Sequence, residues 1–274
     1  MFDRYRFTIL GCGSSPGVPR PNGDWGACDP NNPKNKRYRS SLLVERIKLS
    51  GEKTTIVIDT GPDFRSQMID ARVNHLNAAL YTHFHADHIH GIDDLRSYAL
   101  AQKCLIDIYA DSFTLEHLKN AFGYCFQKPK GSSYSPILKA HTIKEDSQFI
   151  IQGQGGAITV NTHLQFHGNI HSLGFRIGNV AYCTDVSQFP EKTLPKLMNL
   201  DVLIIEALQF ESHPSHLSVD QALQWIKYLK PQKAILTHMD RSLDYNEVVN
   251  YVPAHVKPAH QGLVFEINTL LNEH

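Results

Sequence analysis

The sequence lacks an excess of charge of either sign. Lys+Arg and Asp+Glu each total 27 in 274 residues, so the formal net charge is zero. That argues against the global positive field that draws proteins onto nucleic acid, and leaves only a local basic patch open. Any run of about 18 apolar residues is missing too, so no membrane span is expected. The opening "MFDRYRFTIL" carries charges and no long apolar stretch, so it does not read as a signal peptide. The five cysteines (Cys12, Cys28, Cys104, Cys125, Cys183) are scattered, odd in number and never form a C-x-x-C pair. This excludes a disulfide framework or an all-cysteine zinc site, and reduced thiols in a cytoplasmic protein are the simple reading. No internal repeat or low-complexity linker divides the chain. At 42% apolar content it can bury a sizeable core, and a single domain over residues 1–274 is expected.

What the sequence has in quantity is histidine, 16 in all. "YTHFHADHIHG" brings His83, His85, Asp87, His88 and His90 into eight residues. The pattern around it interleaves strands and helices. "RFTIL" reads as a first strand, followed over 11–37 by a long loop rich in Gly, Pro and Asn. "SLLVE" and "TTIVIDT" read as a hairpin, and "DFRSQMIDA" as a short helix. "NAALY" is a buried strand running into the histidines. A series of strands, "AITVNTHLQFH", "SLGFRIG" and "VAYCTD", leads to an alternation of helices ("EKTLPKLM", "SVDQALQWIKYL", "LDYNEVVNYV") with strands ("DVLIIEA", "KAILTH", "GLVFEI"). Such interleaving predicts an α/β or α+β layered domain.

His83 and His85 follow an apolar strand, and in extended chain the side chains at i and i+2 point the same way. They can bind one ion. Asp87 and His88 come where the chain turns toward a helix and face a second ion nearby; two metals about 3.5–4 Å apart form a clamp for phosphate ester hydrolysis. These residues cannot fill two coordination spheres, so further ligands must come from polar residues at the ends of later apolar strands. His167 ends "THLQFH", Asp185 ends "VAYCTD" and His238 ends "KAILTH". Strand carboxyl ends are where α/β proteins gather their sites. His216 lies in the loop "HPSHLS" before a helix.

These residues carry a resemblance to the metallo-β-lactamase superfamily. "THFHADHIHG" matches its H-x-H-x-D-H signature, Asp59 in "VIDTG" its upstream aspartate, and His167, Asp185 and His238 the order of its remaining ligands. The resemblance spans roughly residues 6–267 and implies a four-layer αββα sandwich. It also implies two divalent metal ions, zinc or manganese with iron as a third candidate. His83, His85 and His167 would hold one ion, Asp87, His88 and His238 the other, and Asp185 would bridge them. Asp59 would accept a hydrogen bond from a ligand and fix its orientation. Within the superfamily the chain is similar to the PhnP-like phosphodiesterases, through "GCGSSPGVPRP", "RSSLLVE", "CTDVS", "HPSHLS" and "ILTHMD". That likeness implies hydrolysis of small, cyclic phosphodiesters of ribose phosphates or nucleotides by a hydroxide bridging the metals, with His216 assisting the leaving oxygen. The family's N-terminal cysteine cluster for a structural zinc is reduced here to Cys28 with Asp24 and Asp29 nearby, which predicts no such zinc.

Other histidines compete for these positions. His171 competes with His167, and His213 with His216; in each pair the second-named residue sits better on the pattern. His90 is expected to be structural. "GCGSSPG" spaces its glycines wrongly for a dinucleotide fingerprint and reads as a turn and part of a substrate wall. Arg37, Arg39 and Arg65 suit a substrate phosphate, with surface solvation the plainer role. Cys183 reads as a buried small hydrophobe. The alternatives are a tRNA 3′-end endonuclease, a glyoxalase II-like thioesterase, and a non-catalytic metal-binding scaffold. The endonuclease family inserts an arm between the third histidine and the bridging aspartate, and here those two are only 18 residues apart. The expected partner is a small phosphodiester or nucleotide substrate, with neither nucleic acid nor membrane; a homodimer is compatible.

Overall fold

A computed structural model describes residues 3–128 and 130–268. The chain lays down β1 (Arg4–Gly11), β2 (Ser41–Ile47), β3 (Lys53–Ile58), β4 (Ala78–Leu80), β5 (Ile106–Ala110) and β6 (Leu138–Thr142), which pair side by side in that order. β1 to β3 are antiparallel and β3 to β6 parallel. A second sheet repeats the plan with β7 (Gln148–Ile151), β8 (Ile158–His167), β9 (Ile170–Ile177), β10 (Val180–Cys183), β11 (Val202–Glu206), β12 (Lys233–Thr237) and β13 (Val256–Pro258). It is antiparallel as far as β10 and parallel from there. β14 (Val264–Asn268) returns to pair with β1 on the first sheet.

The alternation of apolar side chains sets the layers. Leu42, Val44, Ile56 and Ile58 face inward and join Val160, Leu173, Phe175 and Ile177 of the second sheet in one core. Leu43 and Val57, one residue out of step, face the other way and meet Phe64 and Met68 of α1 (Phe64–Asp70), Leu95 and Ala99 of α3 (Leu95–Gln102), and Leu115 and Leu118 of α4 (Ser112–Phe126). On the far side, α5 (Val219–Leu229) buries Val219, Ala222, Ile226 and Leu229 against β11, and α6 (Tyr245–Tyr251) packs on β13. The layers run α, β, β, α, as the sequence reading expects. α5 starts where "HPSHLSVDQ" predicts: Ser218 and Gln221 form a reciprocal capping box.

Three local expectations change. "EKTLPKLM" is a 3₁₀ run over Glu191–Leu197 rather than an α-helix, because Pro195 inside it has no N–H to donate. β6, β7 and β13 carry no apolar period strong enough to read from sequence. They are edge strands, which tolerate polar residues and, in β13, Pro258. Arg37 is not at the surface: it is 1% exposed and donates to the carbonyls of Asp240 and Leu243, tying the 11–37 loop to the segment after β12. Arg39 pairs with Asp63 at 3.1 Å, and only Arg65 is exposed. Cys28 donates its thiol to the same segment, at the carbonyls of Arg241 and Leu243. All five cysteines are free thiols. Among the described residues no helix is long and apolar enough to cross a membrane.

Candidate metal centre

The ends of β3, β4, β8, β10, β11 and β12 converge on one edge of the sandwich. Three of the residues that leave these strands adopt a backbone conformation unusual for anything but glycine: Asp59 (φ 65°) after β3, Asp185 (φ 53°) after β10, and His238 (φ 56°) after β12. Each turns the chain sharply off its sheet so that the side chain faces its neighbours. Such strain costs about 1–3 kcal/mol per residue and gathers at functional sites. The turn after β4 needs a close approach as well. Residues 86–89 form α2 (Ala86–Ile89), whose His88 carbonyl accepts from the Thr60 amide at 2.8 Å. A Cβ added at Gly61 would lie 2.1 Å from the Asp87 carbonyl oxygen, so only glycine lets α2 sit there.

Two groups of donors result. His83, His85, His167 and Asp185 place ligand atoms within 4.8 Å of one another, and so do Asp87, His88, Asp185 and His238. Asp185 belongs to both. Its Oδ1 lies 3.4 Å from His238 Nε2 and 3.7 Å from His167 Nε2, while its Oδ2 lies 3.0 Å from His88 Nε2. The seven residues singled out from the sequence as ligands are thus all at one place. His90 is exposed against the Phe122 ring, and His171 is exposed on β9; both stay outside the groups.

The imidazoles are held from behind. His88 Nδ1–H donates to Asp59 at 2.7 Å. Asp59 also accepts from the Thr82 amide at 2.8 Å and the Thr82 hydroxyl at 2.9 Å, and that hydroxyl oxygen lies 3.0 Å from His83 Nδ1. His167 Nδ1–H donates to the Ser215 carbonyl at 2.7 Å. With Nδ1 occupied, Nε2 of each ring is left as a lone pair facing the centre, the arrangement that orients histidines toward a metal. Asp59 itself is fully enclosed and reaches the centre only through His88 and Thr82.

Whether cations fit can be judged from the donor set. The buried atoms His83 Nε2, His88 Nε2, His238 Nε2 and Asp87 Oδ2 have no hydrogen-bond partner. Buried polar atoms normally have one. Electrostatics points the same way. Burial would drive charge off His88 and His238, but the carboxylates around them win. Asp185 and Asp87 raise His88 well above its ordinary pKa, and Asp185, Asp87 and Glu206 hold His238 up at about 10. His83 and His85 go the other way, lowered by burial and by neighbouring imidazoles. The carboxylates attract positive charge and the remaining imidazoles are neutral ligands, so the residues fit divalent ions.

Glu206 was not singled out in the sequence, although it ends β11 as Asp185 follows β10 and His238 follows β12. It forms a third group with His216 and His238. Glu206 is fully buried, accepts from the Val186 amide and from His216 Nδ1, and lies 3.2 Å from His238 Nδ1. Burial alone would raise its pKa, but His216 and His238 hold it below the usual carboxylate range. The His216 ring stacks on His238 at 5.2 Å and meets His167 edge-on at 4.7 Å, so it stands beside both groups. His213 lies behind it, its ring 4.9 Å away. Cys183 is fully buried 3.4 Å from His163, with its thiol pKa pushed up by burial, which leaves it inert.

The chain is similar to several known proteins. The beta-lactamase superfamily domain profile matches residues 54–239. A solved diphosphatase of the PhnP family is 31% identical with a TM-score of 0.86, over 99% of this chain and 100% of that one. The short form of human tRNase Z is 17% identical with a TM-score of 0.66, over 95% and 98%, which is a likeness of fold alone. A curated octanoyltransferase of Porphyromonas gingivalis is 31% identical over 260 residues, 94% of this chain. The chain spans about half, 51%, of that relative's length. With a profile match across most of its length, two facing sheets between helices and a histidine–aspartate cluster at their edge, the chain belongs to the beta-lactamase superfamily and has the metallo-β-lactamase fold, which implies divalent metal binding.

Proposed function

We propose that the protein hydrolyses small phosphodiesters of ribose phosphates or nucleotides. His83, His85 and His167 would hold one divalent ion, Asp87, His88 and His238 a second, and Asp185 both; zinc and manganese suit these donors. When bound, two such ions supply a water of low pKa and offset charge on the phosphoryl oxygens.

The chain's own residues do the rest. Asp59 keeps His88, and through Thr82 His83, turned toward the centre. His216 donates a proton from Nε2 to the leaving oxygen, and Glu206 on Nδ1 holds the ring in place. The observation that carries this reading is the Glu206–His216 pair beside both donor groups. A metal-binding scaffold has no use for an oriented, partly exposed imidazole outside its ligand set. A second reading, cleavage of a diphosphate linkage, is favoured by the likeness to the PhnP-family diphosphatase.

The test is a substrate panel with zinc-loaded and manganese-loaded protein: 2′,3′-cyclic nucleotides, a cyclic ribose phosphate, bis-p-nitrophenyl phosphate, a nucleoside diphosphate ester and a thioester. Preferred turnover of the diesters is expected. Preference for the diphosphate ester selects the second reading, and turnover of the thioester alone overturns both.

A further inference from the structure

Beside the metal centre stands a group of rings that the proposed chemistry does not use. Phe84, between two candidate ligands, has its ring 5.1 Å from that of His85. His117 lies over it at 4.2 Å and 26°, a stacked pair, and Phe113 meets both, at 5.2 Å from Phe84 and 4.5 Å from His117. Phe113 and His117 are one turn apart on α4 and share a face. That helix begins directly after β5, at the same edge of the sheet as the histidine motif, with Asp111 capping it through the Thr114 amide. Leu115 and Leu118 of the same helix are buried, so α4 does not need Phe113 for its core contact; Phe113 is 54% exposed. A single exposed phenylalanine is ordinary. Three rings in contact, joined edge to edge with a candidate metal ligand, form a continuous surface leading from the centre outward.

His117 adds a polar contact. Its Nδ1–H donates to the Phe113 carbonyl at 2.9 Å, which leaves Nε2 as a hydrogen-bond acceptor beside the rings. An aromatic surface with an acceptor at its edge, next to a centre for phosphoryl chemistry, fits a planar heterocycle. Every nucleobase has a π-face, and stacking tolerates any of them.

We propose that Phe113, with His117 and Phe84 beneath it, is the platform on which the substrate's nucleobase stacks, so that the substrates are base-bearing phosphodiesters rather than bare ribose phosphates. This rests on the phosphodiesterase reading and narrows it. Phe113 is a specificity-determining residue here and takes no part in bond cleavage.

The experiment has two arms on the metal-loaded protein. The kinetic arm takes the ratio of kcat/KM for 2′,3′-cyclic AMP to that for a base-free cyclic ribose phosphate. Stacking a base is worth about 5- to 150-fold by alanine substitution. The ratio should fall by that amount in Phe113→Ala and be restored in Phe113→Tyr. The binding arm measures AMP against ribose 5-phosphate by calorimetry, and the gap in favour of AMP should close in Phe113→Ala. If neither diester is turned over while AMP still binds better through Phe113, the phosphodiesterase reading fails and the platform stands. Equal loss on both substrates, equal binding of AMP and ribose 5-phosphate by the wild type, or a gap that survives both Phe113→Ala and His117→Ala overturns the platform.

Discussion

The two sheets are built to one plan, three antiparallel pairings giving way to three parallel ones, yet they feed the metal centre differently. The first sheet delivers His83, His85, Asp87 and His88 from one loop and one turn of helix after β4. The second delivers His167, Asp185, Glu206, His216 and His238 singly, from the ends of β8, β10, β11 and β12 and the loop before α5. A compact motif has its geometry set by local chain direction. Dispersed residues depend on the whole second sheet holding its register. The difference shows in what each half carries: the first offers ligands and the Asp59 backing, while the second also offers the shared aspartate and the Glu206–His216 pair.

Substitutions can break that contrast. The largest effect is expected at His216, which lies outside both ligand groups. His216→Ala should keep both metals by elemental analysis and lose about 10²–10⁴ in turnover on a ribose leaving group, the scale of general acid catalysis. On a p-nitrophenyl ester, which needs little protonation to leave, the loss should be much smaller. Equal losses on the two esters would reduce His216 to a structural residue.

Asp185→Asn should cost at least about 10²-fold in turnover and release one metal, since even changes behind the ligands commonly cost 10–100-fold. Normal activity with two metals bound would remove Asp185 from its shared position. Glu206→Gln should cost about 10–100-fold, by the same reasoning for a residue acting through another. The sharper readout is qualitative: its loss should depend on the leaving group as that of His216→Ala does. If it does not, Glu206 serves His238 alone.

On the first-sheet side, Gly61→Ala forces a Cβ to within 2.1 Å of the Asp87 carbonyl. Overpacking of this kind costs about 1–3 kcal/mol, so a lowered Tm with displaced α2 residues and weaker metal binding is expected. An unchanged Tm would mean that α2 can move without penalty.

The smallest effect is a pH dependence in the second sheet. His163 on β8 is 1% exposed, and burial above all, with Lys196 next, pushes its pKa down to about 3 from an ordinary 6.5. The unfolded chain therefore takes up this proton first as the pH falls. The stabilisation is fully present above about 6.5 and is lost progressively toward 3, at about 1.4 kcal/mol per pH unit. Between pH 6 and pH 5, urea unfolding of His163→Asn should lose that much less stability than the wild type. Parallel pH profiles would place the acid sensitivity elsewhere.

Much of this was written in the sequence. The H-x-H-x-D-H segment is local, so residue spacing alone dictates that its side chains can share ions. The strands around it have alternating or continuous apolar runs, which set their faces and the layer order. The polar residue closing an otherwise apolar strand marked His167, Asp185 and His238, and the same signal at the end of "DVLIIEA" marks Glu206. That signal is ambiguous, because a terminal glutamate reads equally well as the start of a solvated loop. Strands β6, β7 and β13 are only 5, 4 and 3 residues long, too short for an apolar period to show. Tertiary structure alone decided the rest. It put Glu206 on His216, buried Arg37 among backbone carbonyls instead of at the surface, and laid Phe113 and His117 over Phe84. These contacts join residues far apart in the chain or on separate elements, and only the packing of whole sheets and helices fixes such distances.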